Sequence, residues 1–199
     1  MKLPKNVQLA IELFSQLPSI GPRVAERIIL YLLRKPKREL DELGEALKNL
    51  NAHGNLCQRC FNLADDNLCL ICKDKNRKHD LICVVEDILD LMAIENKDIF
   101  PGVYHVLGGT IKMGQRDNSA NLKIKELKER ISKEKIKEVI IATNPTTEGD
   151  MTAVVIKEAL QDFNNLKITR ISRGMPTGGD IEYADPETIS GSFKGRTKF

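Results

Sequence analysis

The sequence predicts an α/β protein: a small helical module, a four-cysteine knuckle, a parallel-sheet domain flanked by helices, and a short C-terminal segment. Three observations predict it. The first fifty residues carry apolar positions at 3.6-residue spacing, without strand-like runs. Four of the five cysteines fall within the sixteen residues "CQRCFNLADDNLCLIC". From residue 80 onward, β-branched runs alternate four times with helical segments, as in a parallel sheet covered by helices.

Val7, Ala10, Ile11 and Phe14 line one face of a helix over residues 5–16. Pro18 and Gly21 break it, and Pro22 suits the first position of a second helix, where its missing N–H is not needed. Val24, Ile28 and Leu32 line that helix. Leu40, Leu43, Leu47 and Leu50 line a third, over 37–50. The cysteine knuckle follows, and the polar linker "KDKNRKHD" leads out of it. "LICVVE" then reads as a buried parallel strand, with a helix over 87–97 after it. "VYHVL", "EVIIAT" and "KITRISR" supply three more strands. A charged helix around 122–135 and a helix in "TAVVIKEALQDF" connect them.

The 199 residues are 41% hydrophobic and 30% charged, a soluble globular balance. No apolar run approaches the roughly 20 residues of a membrane span. The N-terminus reaches amphipathic periodicity without a signal peptide's apolar block, so a cytoplasmic protein is expected. There, clustered cysteines point to metal rather than disulfides. Cys57, Cys60, Cys69 and Cys72 form two Cys-x-x-Cys turns whose thiolates can converge on one tetrahedral Zn²⁺. A redox dithiol would need one pair, and a catalytic zinc would need an open position. A single structural zinc per chain is expected. Cys83, inside a strand, reads as a small buried hydrophobe.

The net charge of +3 is uninformative, but its distribution is not. Arg23, Arg27, Arg34, Lys35, Lys37 and Arg38 stand against one acid, Glu26, between residues 23 and 38, and the tail "GSFKGRTKF" adds three positives. Such patches suit a phosphate backbone, and they also suit a solvated helix face. "LPSIGPRVA" has the form of a helix-hairpin-helix turn. Gly21 would let a phosphate approach, the helix N-terminus would attract it, and Arg23 and Arg27 would reach its neighbours. The alternative is a Gly-Pro turn between two packing helices.

Glu86 ends the first strand, Asp90 lies one helical turn on, and "NPTTEGD" supplies Glu148 and Asp150 after the third. The carboxyl ends of parallel strands share one crevice, so these acids are expected to meet there. Close carboxylates raise a pKa or recruit a cation such as Mg²⁺. Asp87, Glu148 and Asp150 equally suit helix starts, where acids cap N–H groups. Both readings stay open.

The ordered set "LPSIGPR", C-x₂-C-x₈-C-x₂-C, "VVE…D", "YHVLGGTI", "TNPTTEGD" and "RGMPTGGDIEYAD" resembles the bacterial recombination-mediator family RecR, essentially end to end. The resemblance implies a helix-hairpin-helix module at 1–53, a four-cysteine zinc finger at 54–78, a Toprim domain at 79–174 and a C-terminal segment at 175–199. It also implies a non-catalytic role: with RecO, and in some contexts RecF, such proteins help load the RecA recombinase onto gapped single-stranded DNA coated by SSB. They assemble as dimers and tetrameric rings in the cytoplasm, at the nucleoid.

By the same resemblance, Arg23 and Arg27 are DNA-contacting, the four clustered cysteines are zinc ligands, and Glu86 and Asp90 engage RecO. Glu148 and Asp150 stand at the Toprim acidic pair, where the family usually has Glu-Gly-Glu. Ile88 replaces a common proline, and "KMGQRDNSANLKIKEL" departs from the family's usual loop. The rival readings are a Toprim nuclease or phosphoryl transferase using Mg²⁺ on Glu86, Glu148 and Asp150, and a zinc-dependent adaptor that does not touch DNA. Tyr31, Tyr104 and Tyr183 offer no strand-transferring context.

Overall fold

The computed structural model describes residues 3–50, 56–112, 114 and 121–198. It divides into two compact units, Met1–Gly54 and Asn55–Phe199.

The first unit holds α1 (Lys5–Ser15), α2 (Pro22–Leu32) and α3 (Lys37–Asn49). Its core is thin: Val7, Ala25 and Ile29 are buried. The stripe on α2 lies one position beyond the expected one, on Ala25 and Ile29, and Val24 stays 40% exposed. Leu43, Leu47 and Leu50 of the predicted third face are exposed too, because a unit this small cannot cover three apolar stripes by itself. The turn between α1 and α2 closes with Ile20 N–H donating to the Leu17 carbonyl at 3.1 Å. Pro18 takes its second position and Ser19 its third, at φ 64°. That left-handed position favours glycine, so Ser19 holds the turn at a cost of about 1 kcal/mol.

In the second unit a short helix, α4 (Leu70–Lys73), closes the knuckle. A four-stranded, all-parallel sheet follows, ordered β2-β1-β3-β4: β1 (Lys78–Val85), β2 (Gly102–Val106), β3 (Glu138–Ile141) and β4 (Lys167–Arg170). The helices are α5 (Ile88–Glu95), α6 (Ile124–Lys133), α7 (Thr147–Ala159) and α8 (Pro186–Lys194). Period-two alternation splits β1 between two cores. Ile82 and Val84 join Val139, Leu127 and Ile156 on one face, while Cys83 and Val85 join Leu91 and Tyr104 on the other. Cys83 is buried as expected, and burial pushes its thiol up to about 12.

Several boundaries move. β1 starts inside the polar linker, at Lys78, because Lys78 N–H donates to the Pro101 carbonyl and the Asp80 carbonyl accepts from Lys137 N–H. β4 ends at Arg170 rather than Arg173, and α7 begins at Thr147, five residues before the apolar pattern suggests. The Thr146 side chain caps α7 by accepting from Gly149 N–H, which places Glu148 and Asp150 in a first helical turn. α5 starts at Ile88 despite the absent proline, since Asp87 and Asp90 form a capping box. Of the divergent segment over 112–127, residues 113 and 115–120 lie outside the described residues, and α6 begins within it at Ile124. Among the described residues no helix is long and apolar enough to cross a membrane.

Candidate functional site: metal centre, hairpin and acidic crevice

Cys57, Cys60, Cys69 and Cys72 have their sulfurs within 4.8 Å of one another, and each is at most 4% exposed. Two backbone turns gather them. Phe61 N–H donates to the Cys57 carbonyl at 2.9 Å, with Phe61 in the left-handed region, and Lys73 N–H donates to the Cys69 carbonyl at 3.0 Å. None of the four is part of a disulfide. Hydrogen bonding between Cys60 and Cys69 favours the thiolate on Cys69 and the thiol on Cys60. Four sulfurs so close cannot all ionise without a cation among them. Among the described residues the partly buried hydrophobic side chains packed against the cluster are Ala64, Leu68 and Ile71, too few for an apolar core of its own. Soft donors, fourfold number and burial fit Zn²⁺ with no position left for substrate.

Sequence patterning did not disclose how this knuckle is anchored. Arg59, between the first two ligands, donates Nε–H and Nη2–H to the Glu134 carboxylate at 2.9 and 2.8 Å. Arg130, with a side chain only 4% exposed, donates Nε–H to the same carboxylate at 3.3 Å and Nη1–H to the Tyr104 carbonyl at 2.8 Å. Val106 N–H donates to the Cys60 carbonyl at 2.8 Å. The knuckle and α6 thereby satisfy backbone groups along β2, an edge strand of the sheet. An arginine beside a ligand cysteine was the only signal available.

Arg23 and Arg27 are exposed on one side of α2, and neither takes part in an ion pair among the described residues. Lys35 and Arg38 differ: they pair with Glu39 and Glu42 of α3 at 3.1 and 2.8 Å. Gly21 precedes α2 with open space where a side chain would stand, so internal packing gives no reason for glycine there.

The acids meet different fates. Glu86, 8% exposed, accepts from Asn144 N–H at 2.8 Å on Oε1 and from the Asn144 side-chain amide at 2.7 Å on Oε2. Its backbone carbonyl accepts from Gly108 and Gly109 N–H at 3.0 and 2.9 Å, two glycines at φ 84° and 145° that a side chain would strain. Gly149 closes the other side, where a Cβ would stand 2.1 Å from the Asn144 carbonyl oxygen and 2.8 Å from Glu86 Oε1. Asp90 shares the Asn144 amide, at 3.3 Å, and completes its capping box. Asp150 is ion-paired to Arg170 at 2.6 Å and to Arg173 as well. Burial opposes that ionisation, but the Arg170 hydrogen bond and both positive charges hold the Asp150 carboxyl below its ordinary value. Among the described residues the cysteines form a group at metal-ligating distance, and the carboxylates do not. In the sequence "NPTTEGD" stands out for its acids, and nothing in it marks Asn144 as the centre of this network.

Comparison with family models matches residues 7–50 to the RecR helix-hairpin-helix, 55–74 to the RecR four-cysteine zinc finger domain, 80–172 to the Toprim domain, and 174–197 to the RecR C-terminal segment. The knuckle therefore holds one structural zinc. The chain is 45% identical to "Recombination protein RecR" of Chloroflexus aggregans over 186 residues, 94% of this chain and 90% of that one. It is 44% identical to the protein of the same name from Clostridium perfringens over 194 residues, 98% and 97% of the two chains.

Proposed function

From the premise that this chain belongs to the RecR family of recombination proteins, we propose that it is a non-catalytic DNA-binding mediator of recombinational repair. In this reading it joins RecO, and in some contexts RecF, in loading RecA onto gapped single-stranded DNA coated by SSB. It assembles through dimers into a ring, and the exposed leucines of α1 and α3 are apolar surface of the kind an oligomer covers. The division at 1–53, 54–78, 79–174 and 175–199 belongs to the same reading. The observation that carries it is the hairpin: an uncovered helix start with two exposed arginines one turn apart, neither in an ion pair among the described residues.

The test is DNA binding across salt concentrations. Arg23→Ala with Arg27→Ala should weaken binding to unrelated sequences alike and flatten the salt slope by about one unit for each phosphate that the variant no longer neutralises. Unchanged affinity and slope would leave the hairpin as a packing turn.

For RecO, exposure shifts the weight between the two acids. Glu86 faces inward, so Asp90 and its exposed neighbour Asp87 carry the charge that a basic partner meets. Asp90→Lys should slow RecO association by roughly tenfold or more at low salt, with DNA affinity and zinc content unchanged. Equal association rates for variant and wild type would remove Asp90 from that interface.

A further inference from the structure

In an acidic crevice at the carboxyl ends of parallel strands, something must offset adjacent negative charges. Here the offset comes from within the chain. Asn144 follows β3 and places one amide group between two carboxylates, at 2.7 Å from Glu86 Oε2 and 3.3 Å from Asp90 Oδ1, while its backbone N–H takes Glu86 Oε1. The amide must present nitrogen, because its oxygen would face two carboxylates and find no donor. Arg170 and Arg173 do the same for Asp150.

We propose that Asn144 stands where a divalent cation would bridge Glu86 and Asp90, closing the crevice to metal with a donor of the chain itself. The role goes beyond the DNA and RecO reading and does not depend on it. Three observations support it. The oxygens a cation would take are already accepting hydrogen bonds, at 2.7 and 2.8 Å on Glu86. Glu86 is 8% exposed, and its far side is filled by Gly149, whose missing Cβ lets the α7 backbone pass directly against Oε1. The two Asp150 arginines remove a further carboxylate, because a metal would have to displace both guanidiniums. Asn144 is thus a positioning residue, setting two carboxylates in a fixed, metal-free arrangement.

The substitution Asn144→Asp reverses the chemistry at one atom pair, turning the shared donor into a third carboxylate at hydrogen-bond distance from the other two. Three acids so placed either hold a proton between them or recruit a hard cation with oxygen ligands. Mn²⁺ reports this, since carboxylates suit it and the thiolate cluster, already filled by zinc, does not. Zinc-replete wild-type chain and Asn144→Asp should be titrated with Mn²⁺ at neutral pH, following the free-ion electron paramagnetic resonance signal and the thermal midpoint. The wild type should leave the free-ion signal undiminished, and the variant should take up one Mn²⁺ per chain and gain stability with it. The proposal is overturned if the wild type holds one Mn²⁺ that Glu86→Gln abolishes, or if zinc-replete Asn144→Asp takes up none. Should the variant fold only with Mn²⁺ present, that supports the proposal. Should it not fold at all, the wild-type titration, which needs no substitution, still decides.

Discussion

Cys60→Ser should strip the zinc and unfold the knuckle, with a large loss of stability. Structural zinc in finger peptides binds with roughly 10–16 kcal/mol of apparent free energy, and that binding is their folding energy. The segment over 57–72 has little apolar packing of its own to replace it, since the partly buried hydrophobic side chains on the cluster are Ala64, Leu68 and Ile71 among the described residues. The damage should spread to the sheet. The Cys60 carbonyl accepts from Val106 N–H, and the Arg59 carbonyl lies on Arg130, so an unfolded knuckle bares β2 as an open edge. We expect zinc near zero by metal analysis and a fall in thermal midpoint of about 20 °C or more, since roughly 10 kcal/mol at about 2–4 °C per kcal/mol gives at least that. Cys83→Ser should keep its metal, since Cys83 lies in the sheet core. Full zinc occupancy in Cys57→Ser/Cys60→Ser would show that the four thiols are not the ligand set.

Glu134→Ala should release the knuckle from α6 while leaving the zinc in place. One carboxylate serves two guanidiniums there, and the Arg130 side chain is only 4% exposed. Removing a partner from a buried pair costs about 3–5 kcal/mol, because the remaining charge is stranded. Glu134 keeps 26% of its side chain exposed, so the low end, about 3 kcal/mol, is expected. The same site gives a pH signature. Burial works against ionising Glu134, but the Arg59 hydrogen bonds and the charges of both arginines hold its carboxyl below the ordinary value. A depressed folded pKa stabilises above the unfolded value of about 4.3 and is lost as pH falls through the folded one. The stability gap between wild type and Glu134→Ala should therefore be widest near neutral pH and shrink below about pH 4. A gap independent of pH would mean that the variant suffers from poorer packing rather than a missing charge.

The pairing in that anchor was invisible in one dimension. Arg59 and Glu134 lie 75 positions apart, and neither interrupts a pattern. What the sequence by itself determined is what local spacing encodes. The rhythm of apolar residues determined four parallel strands alternating with helices. Two Cys-x-x-Cys turns determined the metal's ligands, since each turn converges its own thiolates. Pro22 and Asp87 marked helix starts, and α2 and α5 begin there.

The tertiary structure alone decided which acids face outward and which are spent inside. Glu86, Asp90 and Asp150 look alike as residues following strands. One is buried against Asn144 58 positions away, one shares that amide at the surface, and one is claimed by Arg170 and Arg173. Those outcomes depend on strand register, with Val84 beside Ile141 and Ile141 beside Arg170, which brings Glu86, Asn144 and Arg170 to one end of the sheet. Periodicity within a helix or strand is set by bonds a few residues apart, so it survives in the sequence. The partner of a carboxylate is set by which strands lie side by side, and only the folded chain contains that.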